Sequence, residues 1–188
     1  MTKPWTNVLA LSAIGMALGL SALAPGVAHA DAVGPYYATP SWDQTLPAAT
    51  RFMVLTNMNS EAVLDRETGL IWEKNPVSAS QFWPNAVLNC MGANTGGRSG
   101  WRMPTFYELS SLVDVVAGGL PAGNPFTVDT SILSRYWSST SFPGTNTLAM
   151  TRGFPTGGFT SFTASPKSNG VNLYWCVRGG VGGNSDPS

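Results

Sequence analysis

A helix start lies between residues 103 and 109, and it constrains the fold more than any other feature of the sequence. Pro104 precedes Thr105, and Glu108 follows three residues later, which is the pattern of a capping box. We therefore predict a helix that begins at Thr105 and ends at Gly118-Gly119. Its buried face is predicted to hold Phe106, Leu109, Leu112 or Val113, and Val116.

The first 30 residues have the three parts of a secretory signal peptide. Lys3 supplies the positive start, residues 8–23 are almost all apolar or small, and an Ala-His-Ala cleavage site ends at Ala30. The alternative is an uncleaved membrane anchor, but the apolar run is short for a span and ends in Pro25-Gly26. We predict cleavage after Ala30 and a periplasmic or extracellular protein that keeps no membrane span.

Cleavage would remove the functional groups that many enzymes need. It takes 30 of 188 residues, leaves 158 for one domain, and removes the single histidine, His29. Ser-His-Asp, Cys-His and histidine-zinc chemistry are then excluded. Nine basic and ten acidic side chains remain, a balance that does not favour nucleic acid. We predict a protein that is not an enzyme and has no metal or cofactor. Asp65 and Glu67, the acids closest in sequence, are expected to diverge and to be solvated.

Two cysteines remain in the exported chain, Cys90 and Cys176. Disulfides persist in oxidising compartments, so we predict a bridge between them. Two separate buried thiols are the alternative.

The chain between its ends alternates helical and strand patterns, which predicts an α+β fold. Residues 31–50 contain three prolines and form an extended arm, residues 51–180 form the domain, and residues 181–188 form a flexible Gly-rich tail. Gly69 can take the positive φ of a tight hairpin turn. A helical face is predicted for Trp83, Ala86, Val87 and Cys90. Strands are predicted at residues 52–56, 62–65, 70–72, 136–140, 148–154, 159–163 and 171–178.

Several blocks in order resemble one bacterial family. They are residues 63–74, Trp83 to Cys90, residues 96–109, Tyr136-Trp137-Ser138-Ser139-Thr140, and residues 175–179. Together they resemble the Lcl C-terminal-domain-like family of exported domains. The resemblance implies a C-type-lectin-like fold, also similar to formylglycine-generating enzymes, with two helices packed on antiparallel sheets and long irregular loops. The family's named member is the terminal domain of a bacterial collagen-like adhesin that binds sulfated glycosaminoglycans. This chain lacks the collagen repeat and the calcium-binding signatures of C-type lectins.

The blocks separate residues expected to define the fold from residues expected to bind a ligand. The fold-defining set is Gly69, Trp72, Trp83, Trp101, Arg102, Pro104, Thr105, Glu108 and Trp137. Ligand contacts are expected on the late loops, because binding residues concentrate on loops of a rigid scaffold. The candidates are Trp137, Phe142, Asn146, Arg152, Phe154 and Lys167. The alternative for Phe154, Phe159 and Phe162 is that they are strand residues that face the core.

These observations predict an exported recognition domain, glycan-binding or adhesin-like, whose partner is a glycan or a surface protein. The alternative is a structural or accessory subunit of a surface or periplasmic assembly.

Overall fold

The computed structural model describes residues 46–76, 78–156 and 162–180, which form three short helices and ten short strands. The helices are α1 (Ala48–Arg51), α2 (Trp83–Met91) and α3 (Phe106–Ser111). The strands are β1 (Phe52–Val54), β2 (Ala62–Asp65), β3 (Ile71–Glu73), β4 (Gln81–Phe82), β5 (Trp101–Arg102), β6 (Tyr136–Ser141), β7 (Leu148–Arg152), β8 (Phe162–Pro166), β9 (Val171–Asn172) and β10 (Val177–Arg178). The predicted signal peptide, the arm as far as residue 45, Phe159 and the tail lie outside the described residues.

A five-stranded antiparallel sheet has the strand order β1-β2-β3-β10-β5. β2 and β3 form the predicted hairpin, and Gly69 in its turn has a φ of 71°. Separate sheets are formed by β4 with β9, and by β6, β7 and β8. The α+β prediction is confirmed. In the described ranges, no helix is both long enough and apolar enough to cross a membrane.

The two faces of the five-stranded sheet have different surroundings. Val63, Trp72 and Val177 are directly opposite one another across neighbouring strands and are buried in the larger hydrophobic core. The adjacent cross-strand row contains Leu64 and Ile71 and faces the other way, since successive side chains in a strand alternate. Met53, directly opposite Leu64 on β1, is 40 % exposed, so this second face of the sheet is only partly covered.

The predicted disulfide is present and joins α2 to the residue before β10. The Sγ atoms of Cys90 and Cys176 are 2.09 Å apart, and both residues are buried. Ala86, one helical turn before Cys90, is also buried, as the apolar periodicity predicts. The alternative of two separate thiols is wrong.

The capping box of α3 is confirmed, but the helix is shorter than predicted. The N–H of Glu108 donates to the Thr105 hydroxyl, and the N–H of Thr105 donates to the Glu108 carboxylate. The helix ends at Ser111, and Val116 is 94 % exposed instead of buried. The Asp114 carboxylate accepts hydrogen bonds from the N–H groups of Val116 and Ala117. Such a local turn competes with continuation of a helix.

The predicted strand at residues 171–178 is two strands in two sheets. β9 pairs with β4, whereas β10 pairs with β3 and β5. Between them, the Leu173 backbone exchanges hydrogen bonds with Arg135 and Trp137, and Trp175 is buried in the core. The chain crosses from one sheet to the other here because Leu173 and Trp175 pack into the larger hydrophobic core. β6 and β7 agree with prediction apart from their ends, since β7 stops at Arg152. β8 begins at Phe162 and continues to Pro166, so it shares only two residues with the strand predicted at 159–163, of which residues 159–161 lie outside the described residues.

Asp65 and Glu67 are buried and converge on one cation, which corrects the expectation that they diverge into solvent. Arg51 donates from Nε and Nη2 to the Asp65 carboxylate at 2.8 and 2.7 Å, and its Nη1 lies 3.4 Å from Glu67 Oε2. The Asp65 carboxylate also accepts from the N–H of Glu67 and the hydroxyl of Thr68. The hairpin turn folds back on itself through these bonds and brings both carboxylates to Arg51.

Candidate functional site

The block around the helix start has a structural role. Arg102 forms a two-point ion pair with Glu108, at 2.8 Å from Nη1 and 2.6 Å from Nη2, and also donates to the carbonyl of Gly179. The Trp101 indole is buried and donates to the carbonyl of Arg98. Pro104 is buried beside them. Glu108 therefore serves the cap and the ion pair together, so its carboxylate is engaged inside the fold.

Two predicted ligand contacts are core residues instead. Trp137 and Phe154 are fully buried. The Trp137 indole donates to the carbonyl of Gln81, and Phe154 packs edge-to-face on Tyr136 and Trp175. A ligand would reach either ring only by unpacking the core, so the expectation that they bind ligand is corrected. Core burial was the alternative stated for Phe154.

Lys167 is engaged within the fold. Its Nζ lies 4.5 Å from the centre of the Trp83 ring and donates to the Ser141 hydroxyl at 2.7 Å. The Trp83 indole in turn donates to the carbonyl of Ser138. Lys167 thus covers one face of Trp83 and ties β6 to the start of α2.

Phe142 and Asn146 are exposed in the turn between β6 and β7. The Phe142 N–H donates to the carbonyl of Leu148, which closes this turn. Phe142 is 36 % exposed, so the turn presents one partly accessible aromatic ring to solvent. These two candidates are accessible, but among the described residues no second aromatic ring packs on Phe142.

A set of packed aromatic rings lies where α3 crosses the three-stranded sheet. The Phe106 ring is 5.9 Å from that of Tyr107 and 5.8 Å from that of Phe162, both edge-to-face. Tyr107 is 72 % exposed and Phe162 is 57 % exposed, whereas Phe106 is buried between them. The Arg152 guanidinium carbon lies 5.8 Å from the Phe106 ring centre. We call Phe106, Tyr107, Arg152 and Phe162 the aromatic surface.

Each member of the aromatic surface is held by regular structure. Phe106 and Tyr107 belong to the first turn of α3, which the capping box fixes. Arg152 and Phe162 are directly opposite each other on β7 and β8. Burial lowers the pKa of the Arg152 guanidinium from its ordinary value, although arginine stays cationic at neutral pH. The surface therefore combines two accessible rings with one partly desolvated cation.

Sequence reasoning found only part of this surface. Arg152 was a ligand candidate, Phe162 was named on the late loops, and Phe106 was assigned to the buried face of the helix. Tyr107 was missed. A large aromatic side chain at a helix position outside the apolar stripe is the signal that points to it.

The described residues contain neither a free thiol nor a cluster of metal-ligating side chains. Their two cysteines are both in the disulfide, and no three His, Cys, Asp or Glu side chains among them come together as metal ligands. Burial raises the pKa of the Tyr136 hydroxyl to about 12, so it keeps its proton at neutral pH.

Comparison with known families identifies the domain. The Lcl C-terminal domain family matches residues 61–178. The chain belongs to the Lcl C-terminal domain family. No curated protein and no solved structure gives a significant match. The family match includes the disulfide and the whole aromatic surface, while Arg51, the centre of the buried ion cluster, precedes it.

Proposed function

We propose that this Lcl C-terminal domain is an exported, non-enzymatic recognition domain that binds a glycan on its aromatic surface. The observation that carries the proposal is the pair of exposed rings, Tyr107 and Phe162, set against Phe106 beside Arg152. The C-type-lectin-like resemblance and the glycosaminoglycan-binding adhesin of this family support the same ligand class.

The chemistry of the surface suits a sugar ring. The C–H face of a pyranose packs on an aromatic face, and ring hydroxyls or an acidic substituent accept hydrogen bonds from a guanidinium. Tyr107 and Phe162 are held by a capped helix and a paired strand, so little ordering is needed when a ligand binds. A preorganised surface of this kind gives selectivity for the shape of the sugar.

Glycan-array screening followed by calorimetry tests the proposal. We expect binding to at least one neutral or sulfated glycan, and a loss of about fivefold or more in affinity for Tyr107→Ser or Phe162→Ser, from removal of a stacking ring worth about 1 kcal/mol or more. Leu88→Ser is the matched control, because Leu88 is 64 % exposed on α2 and away from the aromatic surface. The proposal fails if the folded protein binds no glycan, or if the aromatic variants bind as the control does.

Export is part of the same proposal. The three-part leader and the Cys90–Cys176 bridge support it, because such bridges persist in oxidising compartments. Mass spectrometry of the protein recovered from the periplasm or the medium is expected to find Asp31 at the N terminus. Recovery of the uncut chain in the membrane fraction would contradict it.

The second candidate function is an accessory subunit of a surface assembly. Four aliphatic side chains on two loops support it, because each is largely exposed: Val115, Val116, Ile132 and Leu133. We test this function by comparing the wild-type chain with a double variant, Val116→Ser and Leu133→Ser. Analytical ultracentrifugation measures self-association, and affinity capture detects a partner. Loss of self-association or of a captured partner in the variant, with no glycan binding by either protein, would favour it.

A further inference from the structure

An open groove lies on the partly covered face of the five-stranded sheet and has a volume of about 530 Å³. Met53, Leu64 and Ile71 form its floor, because they line it and are directly opposite one another on β1, β2 and β3. Arg178 is opposite Ile71 on β10 and continues the same row. Neighbouring strands are about 4.8 Å apart, so the row extends roughly 14 Å across the sheet. We call this feature the sheet groove.

The apolar part of the sheet groove is aliphatic. Besides the floor, its lining includes Val54, Leu55 and Met58. No aromatic residue is among the lining residues that the structure describes. Two of the lining residues are methionines, whose unbranched and polarizable side chains adapt to different apolar shapes. The groove therefore suits a flexible alkyl chain better than a sugar ring, which packs on an aromatic face.

The opposite end of the sheet groove is cationic. Arg178 donates from Nε to the carbonyl of Ser99 at 2.8 Å, which fixes its guanidinium beside the backbone that follows Arg98. Arg98 is exposed and also lines the groove, and its carbonyl accepts a hydrogen bond from the Trp101 indole. Within the described ranges, neither the terminal nitrogens of Arg178 nor the Arg98 side chain has a hydrogen-bond or ion-pair partner, and no acidic side chain lines the groove. Two guanidinium groups are therefore available to an anion at this end.

The order of groups along the sheet groove matches an amphipathic anion. The main chain of β1, β2 and β3 is paired within the sheet, so the floor presents only side-chain carbon and sulfur atoms. A peptide laid across these strands would bury its own N–H and C=O groups against that floor without partners, which is costly. An alkyl chain has no such groups, and a carboxylate forms charge-assisted hydrogen bonds with guanidinium groups.

We propose that the sheet groove binds a fatty acid or a similar alkyl carboxylate, with the chain over the floor and the carboxylate on Arg98 and Arg178. The lining of the groove shares no residue with the aromatic surface. This binding site is therefore additional to the proposed glycan site and does not depend on it.

Calorimetry with ligands that share one alkyl chain and differ in their head group tests the proposal. Decanoate, decanol and decyltrimethylammonium are titrated, each below its micelle concentration, into the exported protein after removal of bound lipid. We expect decanoate to bind one-to-one, decanol to bind about tenfold more weakly or worse because it lacks the charge, and the cation to show no measurable binding. Octanoate is expected to bind about fifteenfold more weakly than decanoate, because each methylene removed from water contributes about fourfold.

Variants of exposed residues locate the ligand within the sheet groove. Arg98→Gln is expected to weaken decanoate about tenfold and to leave decanol unchanged, whereas Lys74→Gln, which removes a positive charge outside the lining, is the matched control. Met53→Ser is expected to weaken decanoate and decanol alike, about fourfold, because the ligand covers the exposed part of this side chain. Leu88→Ser is its control, since Leu88 is also exposed but lies on α2. Circular dichroism checks that each variant is folded.

The outcomes separate this site from the alternatives. One-to-one binding of decanoate that Arg98→Gln weakens selectively, and that Tyr107→Ser leaves unchanged, supports the proposal. Weaker binding in Tyr107→Ser would place the alkyl chain on the aromatic surface instead. An affinity that falls as the protein concentration rises would assign the groove to a second copy of the chain. Either of these results, equal affinities for the three head groups, or no saturable binding of decanoate by the folded protein would overturn the proposal, as would groove variants that bind like their controls.

Discussion

Arg51 is the residue whose loss should most damage the fold. Its side chain is 2 % exposed. It donates twice to Asp65, contacts Glu67, and also donates to the carbonyl of Ser111 at 2.8 Å. These contacts join α1 to the hairpin and to the end of α3. We predict that Arg51→Met, which keeps a similar volume but removes the charge, strongly destabilises the protein.

The expected magnitude follows from what the substitution leaves behind. Removing one partner of a buried ion pair costs about 3–5 kcal/mol, because the other charge stays buried without compensation. Here two carboxylates lose the same cation. Asp65 keeps bonds from the Glu67 N–H and the Thr68 hydroxyl, which offset part of the loss. We expect the free energy of unfolding to fall by about 4 kcal/mol, a large fraction of the 5–15 kcal/mol of a typical domain.

Urea unfolding, followed by tryptophan fluorescence and circular dichroism with the disulfide intact, measures this loss. Arg66→Met is the matched control, since Arg66 is only half-buried in the same turn and donates to the Thr50 carbonyl at 3.3 Å. It is expected to cost about 0.5 kcal/mol, as other changes at the surface do.

A triple variant tests the cause. Combining Arg51→Met with Asp65→Asn and Glu67→Gln removes the buried charges and keeps acceptor oxygens at both positions. We expect it to recover more than half of the stability lost by Arg51→Met, because the penalty comes from unpaired charge. A cost below about 1 kcal/mol for Arg51→Met, or a triple variant no more stable than the single one, would refute the reasoning.

Two further predictions concern the region around the disulfide. Replacing both Cys90 and Cys176 by Ala should lower the free energy of unfolding by about 4–5 kcal/mol in the chain-entropy model, since the bridge spans 86 residues; denaturant midpoints with and without the bridge measure it, and equal midpoints would contradict it. Burial raises the pKa of the Glu73 carboxyl above its ordinary value of 4.5. The contribution of this group to the stability of the fold is therefore fully present below pH 4.5 and is lost as the pH rises through the raised pKa. Glu73→Gln should therefore gain stability relative to wild type as the pH rises above 4.5, and a difference of the opposite slope in urea midpoints would contradict this.

Local sequence signals predicted the elements whose cause is local. The β2–β3 hairpin depends on Gly69 in its turn, and α3 begins at Thr105 because Glu108 completes the cap. The disulfide pairing followed from compartment chemistry and from the presence of only two cysteines. None of these predictions needed knowledge of which segments meet in the folded chain.

Contacts between distant segments explain what the sequence could not show. Asp65 and Glu67 looked solvated because Arg51, 14 residues before Asp65, belongs to another element. The strand predicted at 171–178 divides because Trp175 enters the core between two sheets. In both cases the structure depends on a contact with a distant segment, and the periodicity of apolar residues does not show which segments will be in contact.

The candidate site shows the same limit for aromatic side chains. Trp137 and Phe162 both lie in strands of the three-stranded sheet, yet one is buried and the other faces solvent. Their orientation depends on the register of β6, β7 and β8, and pairing shifts between Trp137 and Ser141. A displacement by one residue exchanges the two faces of a strand. Aromatic content alone therefore cannot select ligand contacts, and Tyr107 and Phe162 become candidates only because α3 crosses the sheet beside them.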